Sequence, residues 1–312
     1  MSPYSPPFPL FSAHLETIYP ALLRRVTAPA YQRERIATPD DDFLDLDWLK
    51  QNSNRLVILS HGLEGNSSRA YMRGMAKAFF NRGFDVLAWN YRGCSEEMNR
   101  QMRFYHSGAT DDLDAVVRHA AGTYPEISLI GFSLGGNLTL KYLGERGSLV
   151  SPAIQKAVTF SVPMDLYTGC QRISQPGNWF YSRRFLKSLR NKVIEKAGQR
   201  PEIGIEGIDR IKDLLTFDNR YTAPIHGFKD AMHYYQESSS LRFVHDITVP
   251  TLIVNAKNDP FLSPECFPVD LLKNHPRVTL ETPDRGGHVG FSLFNKNGLY
   301  WSEKRALEFI CP

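Results

Sequence analysis

Three residue types that together can carry out acyl transfer lie far apart in this 312-residue chain: a serine at 133, an aspartate at 259 and a histidine at 288. Ser133 stands in Gly131-Phe132-Ser133-Leu134-Gly135, directly after the apolar run ISLI. Glycines two residues to either side let the chain turn sharply from a strand into a helix. The turn lifts the hydroxyl above the sheet and leaves room for a strained backbone. The stretch GNLTLKYLGE then reads as a helix whose N-terminal N–H groups and positive dipole end meet a developing oxyanion. A serine hydroxyl is a poor nucleophile until an imidazole takes its proton, and a carboxylate beside the imidazole fixes its tautomer. Asp259 follows the apolar run that begins at Thr251, and its place before Pro260 suits an acid held on a turn. His288 is chosen from nine histidines because it lies on the glycine-flanked loop DRGGHVGF, past the run VTLET. A second oxyanion donor is expected where His61-Gly62 ends the run RLVILS. There the backbone N–H of Leu63 would join that of Leu134, with His61 itself shaping the loop.

The elements that must position these residues follow from hydrophobic pattern. Short apolar runs at Leu56–Ser60, Asp85–Asn90, Ile127–Phe132, Ala157–Val162, Thr251–Asn255 and Val278–Thr282 read as strands. Helical patterns lie near 69–82, 110–122, 135–146 and 301–310. Residues 35–49 suggest two short strands around a Pro-Asp turn. Alternating β and α with fully apolar strands predicts an α/β fold, a mostly parallel sheet covered by helices on both faces. The order Ser133, Asp259, His288 is that of α/β-hydrolases rather than of chymotrypsin or subtilisin. The alternation breaks from about Met164 to Phe243, between the run before Pro163 and the run before Asp259. The expected organisation is therefore an N-terminal arm (1–34), a core (35–163 and 246–312) and a helical cap insertion (164–245). The aromatics Trp179, Phe180 and Tyr181 read as cap core or as the wall of an apolar acyl pocket.

Composition sets the outer bounds. With 42% hydrophobic and 22% charged residues the chain is that of an ordinary globular protein, and no apolar stretch approaches bilayer length. A net charge of +4 is too small to imply a nucleic-acid partner. Much of it is concentrated in residues 178–200, where seven Lys/Arg face one Glu. Phe185, Leu186, Leu189, Val193 and Ile194 recur there at helical spacing, which predicts an amphipathic cap helix with a solvated basic side. Transient contact of that side with an anionic lipid surface is a second reading. Cys94, Cys170, Cys266 and Cys311 lack paired spacing and read as free thiols in a reducing compartment, so a cytoplasmic location is expected. The N-terminus, MSPYSPPFPLFSAHLETIYP, has no basic start or continuous apolar core and reads as a proline-rich arm on the surface. No phosphate-binding loop and no zinc-ligand spacing is present, and neither a metal nor an organic cofactor is expected. Asn66 and Asn137 match a glycosylation pattern by chance. Cys94, in a turn with no evident base beside it, is set aside as a nucleophile.

Taken together, the segment from HGLEGNSSRAYMRGMAKAFFNRGFDVLAWNYRGCSEEMNR to YHSG, with GFSLGGN, FDNRYTAPIHGFKDAMHYY, NAKNDPF and GGHVGF, resembles the YheT-like α/β-hydrolases. The opening HLETIYPALLRR is similar to that branch's N-terminal arm, so the resemblance runs over nearly the whole chain. It implies a serine carboxylic-ester hydrolase of esterase or acylglycerol-lipase type, with Ser133 as nucleophile, Asp259 as acid and His288 as base. It also marks Arg92, Asn99, His106 and Ser107 as loop-organising residues near the pocket. A small-molecule or lipid ester is the implied substrate. Thioester or amide hydrolysis and acyl transfer on the same triad are the alternatives, and a ligand-binding role with idle chemistry is the non-enzymatic one.

Overall fold

The computed structural model describes residues 4–311. Eight strands form one sheet: β1 (Gln32–Ala37), β2 (Phe43–Leu49), β3 (Arg55–Ser60), β4 (Asp85–Asn90), β5 (Glu126–Phe132), β6 (Ile154–Phe160), β7 (Thr251–Val254) and β8 (Val278–Glu281). Their order is β1-β2-β4-β3-β5-β6-β7-β8. The hairpin β1–β2 and the β2–β4 pair are antiparallel, and every later pair is parallel. Strand β3 shows why the inner strands read as continuous apolar runs. Leu56 and Ile58 enter the core on one face, beside helices α3 (Thr110–Ala121) and α4 (Leu134–Arg146). Val57 and Leu59 enter the core on the other, beside α2 (Ala70–Phe80) and α11 (Trp301–Ile310). Both faces of such a strand are buried, so no polar alternation survives.

Between β6 and β7 the chain is helical: α5 (Leu166–Ile173), α6 (Trp179–Gln199), α7 (Leu214–Phe217), α8 (Ala223–Ile225) and α9 (Ala231–Ser238), with a five-residue π turn at Asp218–Thr222. These helices have a hydrophobic core of their own, which takes in Leu186, Val193, Phe217 and Tyr234 together with Met98 and Phe104 from the loop after β4. A short helix, α10 (Val269–Leu272), precedes β8. Among the described residues no helix is long and apolar enough to cross a membrane.

The N-terminal segment, expected as a proline-rich arm on the surface, contains a helix that the sequence reading did not include. It forms helix α1 (Ala13–Leu23), capped by Ser12, whose hydroxyl accepts from the N–H of Leu15 at 3.3 Å. Its buried residues are Glu16, Thr17 and Pro20. Helix α6 also differs from expectation. Two of its six cations turn inward, Lys192 to Glu64 at 2.8 Å and Lys196 to the amide oxygen of Asn99 at 2.9 Å, while Ile194 lies exposed.

Candidate active site

Ser133 ends β5 and caps α4 with φ +53° and ψ −118°, a backbone region that side chains other than glycine rarely adopt. Two backbone bonds hold it there: its N–H donates to Phe160 at 2.9 Å, and its carbonyl accepts from Asn137 at 3.0 Å. The flanking glycines are required by close approach. A Cβ on Gly131 would stand 2.3 Å from the carbonyl oxygen of Gly135, and one on Gly135 would stand 2.3 Å from that of Ser60. The motif thus seats α4 directly on β3 and β5.

The other two candidates meet Ser133 from separate loops. Asp259, on the loop after β7, is buried and accepts from the N–H of Phe261 at 2.9 Å. His288, on the loop after β8, has Nδ1 at 3.1 and 2.9 Å from the two carboxylate oxygens of Asp259 and Nε2 at 2.9 Å from Ser133 Oγ. Because a carboxylate only accepts, Nδ1–H is the donor, which leaves Nε2 free to accept from the serine hydroxyl. The ring packs on Phe261 with centroids 4.1 Å apart.

What holds the histidine loop is the arm. Glu16 is fully buried and accepts from Arg285 Nε at 2.7 Å, from the N–H of Gly286, and from the Asn258 amide at 3.3 Å. Asn258 in turn accepts from the N–H of Gly287 at 3.0 Å, and the N–H of His288 donates to Thr17 Oγ1 at 2.9 Å. One carboxylate on α1 therefore joins the Asp259 loop to the His288 loop. Glu16 and Thr17 were not singled out from the sequence. Their only local signal is an acid inside the otherwise apolar run HLETIYPALL, out of phase with the leucines.

The loop after β3 carries the candidate oxyanion donor. The N–H of Gly62 donates to the Tyr71 hydroxyl and that of Glu64 to the Tyr105 hydroxyl, each at 2.9 Å. Between them the N–H of Leu63 has no partner among the described residues, and neither has that of Leu134 in the first turn of α4. Glu64 is pinned a second time by Lys192, which also reaches the sulfur of Cys94 at 3.0 Å. Burial pushes the Cys94 thiol up to about 11, so it stays protonated despite that lysine. His61 lies apart from the relay. Fully buried, it donates from Nδ1 to its neighbour's carbonyl at 2.8 Å and accepts at Nε2 from the N–H of Tyr91 at 3.2 Å. Burial drives its pKa down to about 3.

Two cavities meet at Ser133. One, of about 130 Å³, runs beneath α5, α6 and α7, walled by Leu134, Leu166, Phe185, Leu189, Val193 and Phe217. The other, of about 220 Å³, lies between α1 and α6 and is the one that reaches His288. His106 and Asp218 line the first. Burial lowers the His106 pKa well below its usual value and raises the Asp218 carboxyl to about 6, where Tyr235 donates to it at 2.6 Å. Of the signature residues, Ser107 also lines this cavity. Arg92 instead pairs with Asp40, Asp42 and Asp112, and Asn99 donates to Asp42. Asn137 is buried against the carbonyls of Ser107 and Ser238. Among the described residues no three His, Cys, Asp or Glu side chains converge as metal ligands would.

Comparison with known proteins gives the same fold and a family. YheT of Escherichia coli (strain K12), named as a candidate esterase, is 33% identical over 296 residues, 90% of this chain and 84% of its own. Phospholipase ABHD3 of Mus musculus is 30% identical over 84% of this chain and 66% of its own length. Monoacylglycerol lipase of Saccharomyces cerevisiae is 28% identical over 88% of this chain and 62% of its own. The solved structure of the Pyrococcus furiosus esterase Pf2001 superposes with a TM-score of 0.62 at 20% identity, over 92% of this chain and 97% of that one, which shows the shared fold. Residues 51–288 match the family described as serine aminopeptidase, S33 (Hydrolase_4). With that match and the extent of its likeness to YheT, the chain belongs to this family of α/β-hydrolases.

Proposed function

We propose that this protein is a carboxylic-ester hydrolase acting on lipophilic esters, with Ser133 as nucleophile, His288 as general base and acid, and Asp259 as the orienting carboxylate. The observation that carries this reading is the unbroken relay from Ser133 Oγ to His288 Nε2 and from His288 Nδ1 to Asp259, each step 2.9 Å long. In the first half-reaction Ser133 attacks the ester carbonyl while His288 takes its proton, and the N–H groups of Leu63 and Leu134 receive the oxyanion. His288 then protonates the departing alcohol, which must leave on the side His288 lines. That assigns the cavity between α1 and α6 to the alcohol and the apolar cavity under the helical insertion to the acyl chain. Water activated by His288 releases the acid and restores the serine. On this reading residues 164–245 are a cap over the acyl cavity.

The esterase, phospholipase and monoacylglycerol-lipase names of the relatives support the substrate class. The family's aminopeptidase description points to a different one, in which a carboxylate must anchor a substrate ammonium beside the scissile bond. The two nearby acids are already engaged, Asp218 by Tyr235 and Glu64 by Lys192, which favours an uncharged acyl group. The test is hydrolysis of p-nitrophenyl esters from acetyl to palmitoyl beside aminoacyl p-nitroanilides. Esters are expected to be cleaved, with an optimum above acetyl, and Ser133→Ala is expected to lose roughly 10⁴-fold or more of the rate. Silence on all esters from folded protein, or anilides cleaved faster than any ester, would remove the esterase reading.

A further inference from the structure

Helix α1 presents its polarity the wrong way round. Its inward residues include Glu16 and Thr17, whereas Leu15, Leu22 and Leu23 are 36%, 58% and 65% exposed. A helix that packs only on its own protein turns its leucines inward. Here the inward side is committed to the histidine loop, and the leucines face out.

The start of α6 lies beside it, joined by a 3.1 Å hydrogen bond between His14 and the Tyr181 hydroxyl. Trp179 and Phe180, 60% and 46% exposed, open that helix. Arg183, Arg184 and Lys187 follow Phe180 at three, four and seven residues, which puts them on the same side, and all three are exposed. Among the described residues none of these three cations has a carboxylate within ion-pair reach, unlike the inward-turned Lys192 further along the helix. Between the two helices lies the larger cavity, whose lining includes Ile18, Leu22, Phe180 and Arg184 as well as Ser133.

We propose that this rim, formed by α1 and the first turns of α6, docks on an anionic lipid surface, with the cavity between the two helices opening toward the bilayer. Exposed leucines and aromatics beside uncompensated cations are the composition of a helix lying in a membrane interface. Apolar side chains enter the acyl boundary, and arginine and lysine meet lipid phosphates. A second copy of the chain is a poor occupant, because a two-fold contact brings each patch against its own kind and so sets the cations of one protomer against those of the other. The proposal concerns binding and does not depend on the catalytic reading.

Full-length protein is floated with phosphatidylcholine vesicles and with vesicles containing about one third phosphatidylglycerol, with no turnover measured. Binding is expected on the anionic vesicles, falling as salt is raised. Leu15→Ser/Leu23→Ser/Trp179→Ser and, separately, Arg183→Gln/Lys187→Gln are each expected to weaken it by roughly tenfold or more. None of these five residues lines either cavity, so hydrolysis of a soluble short-chain ester by the variants should match the parent. The proposal is overturned by no binding to either vesicle, by equal binding to both, or by binding that neither variant weakens. It is also overturned by a dimer in light scattering that the serine variant converts to monomer. A protein that binds vesicles yet cleaves no ester would keep this inference and sink only the enzymatic one.

Discussion

Ser133 is held where a Cβ is crowded, and a non-glycine residue in such a region stores about 1–3 kcal/mol. The strain serves position, since it is what raises the hydroxyl out of the sheet toward His288. Removing the Cβ should therefore release energy while removing the proposed nucleophile. Ser133→Gly and Ser133→Ala are both expected to be inactive. In urea titrations Ser133→Gly should be the more stable by about 1 kcal/mol, the relief of strain exceeding the extra chain entropy of glycine. A glycine variant clearly less stable than the alanine one would mean that the elbow is relaxed.

At the scale of elements, the arm and the loops that carry Asp259 and His288 are joined by hydrogen bonds. Glu16 lines neither cavity yet holds Arg285, Gly286 and Asn258, the neighbours of His288 and Asp259. Glu16→Ala leaves a buried N–H and a guanidinium without their acceptor, and the histidine loop loses its fixed seat. Misplacement by about 1 Å can cost on the order of 100-fold in rate. The expected outcome is a kcat for a short-chain ester lowered by roughly 10- to 100-fold with KM changed far less, and partial recovery in Glu16→Gln, which keeps one acceptor oxygen. Equal kcat in Glu16→Ala would reduce the arm to packing.

At the scale of the whole molecule, the buried neutral His61 links stability to pH. An unfolded histidine titrates near 6.5, whereas His61 takes its proton only near 3, because burial disfavours the charged ring. Between those values the unfolded chain binds a proton that the folded chain does not. This contribution is therefore complete above about pH 6.5 and is lost progressively as pH falls. On acidification from pH 7 to 4 it removes roughly 3 kcal/mol, and His61→Asn should show a correspondingly shallower fall in urea titrations across that range. Identical slopes would assign the acid sensitivity elsewhere.

Much of this architecture could be read from the chain, for reasons that differ by residue. The inner strands were legible because two buried faces leave continuous apolar runs, as in Leu56–Ser60. The elbow was legible because Gly131 and Gly135 do their work within five residues. Strand β6 was expected at Ala157–Val162 but forms at Ile154–Phe160, since Ser161 takes a positive φ of 54° and ends it inside an apolar run. The inward Lys192 and Lys196 were illegible because the oxygens that hold them come from other loops. Helix α1 was hidden by Pro20 and by a carboxylate whose partners lie at the other end of the chain.

That last separation has a consequence in time. Arg285 stands 269 positions after Glu16, and a ribosome adding about 5–20 residues per second needs roughly 13–54 s to cover them. During that interval α1 has been made but the groups its carboxylate will hold have not, and Ser133 is without its hydrogen-bond partner His288. Strands β1 to β6 are likewise made before the segments that carry Asp259 and His288. On the proposed reading, only after residue 288 has been made can Ser133, Asp259 and His288 meet, so activity is expected to arrive with the last part of the chain rather than in stages.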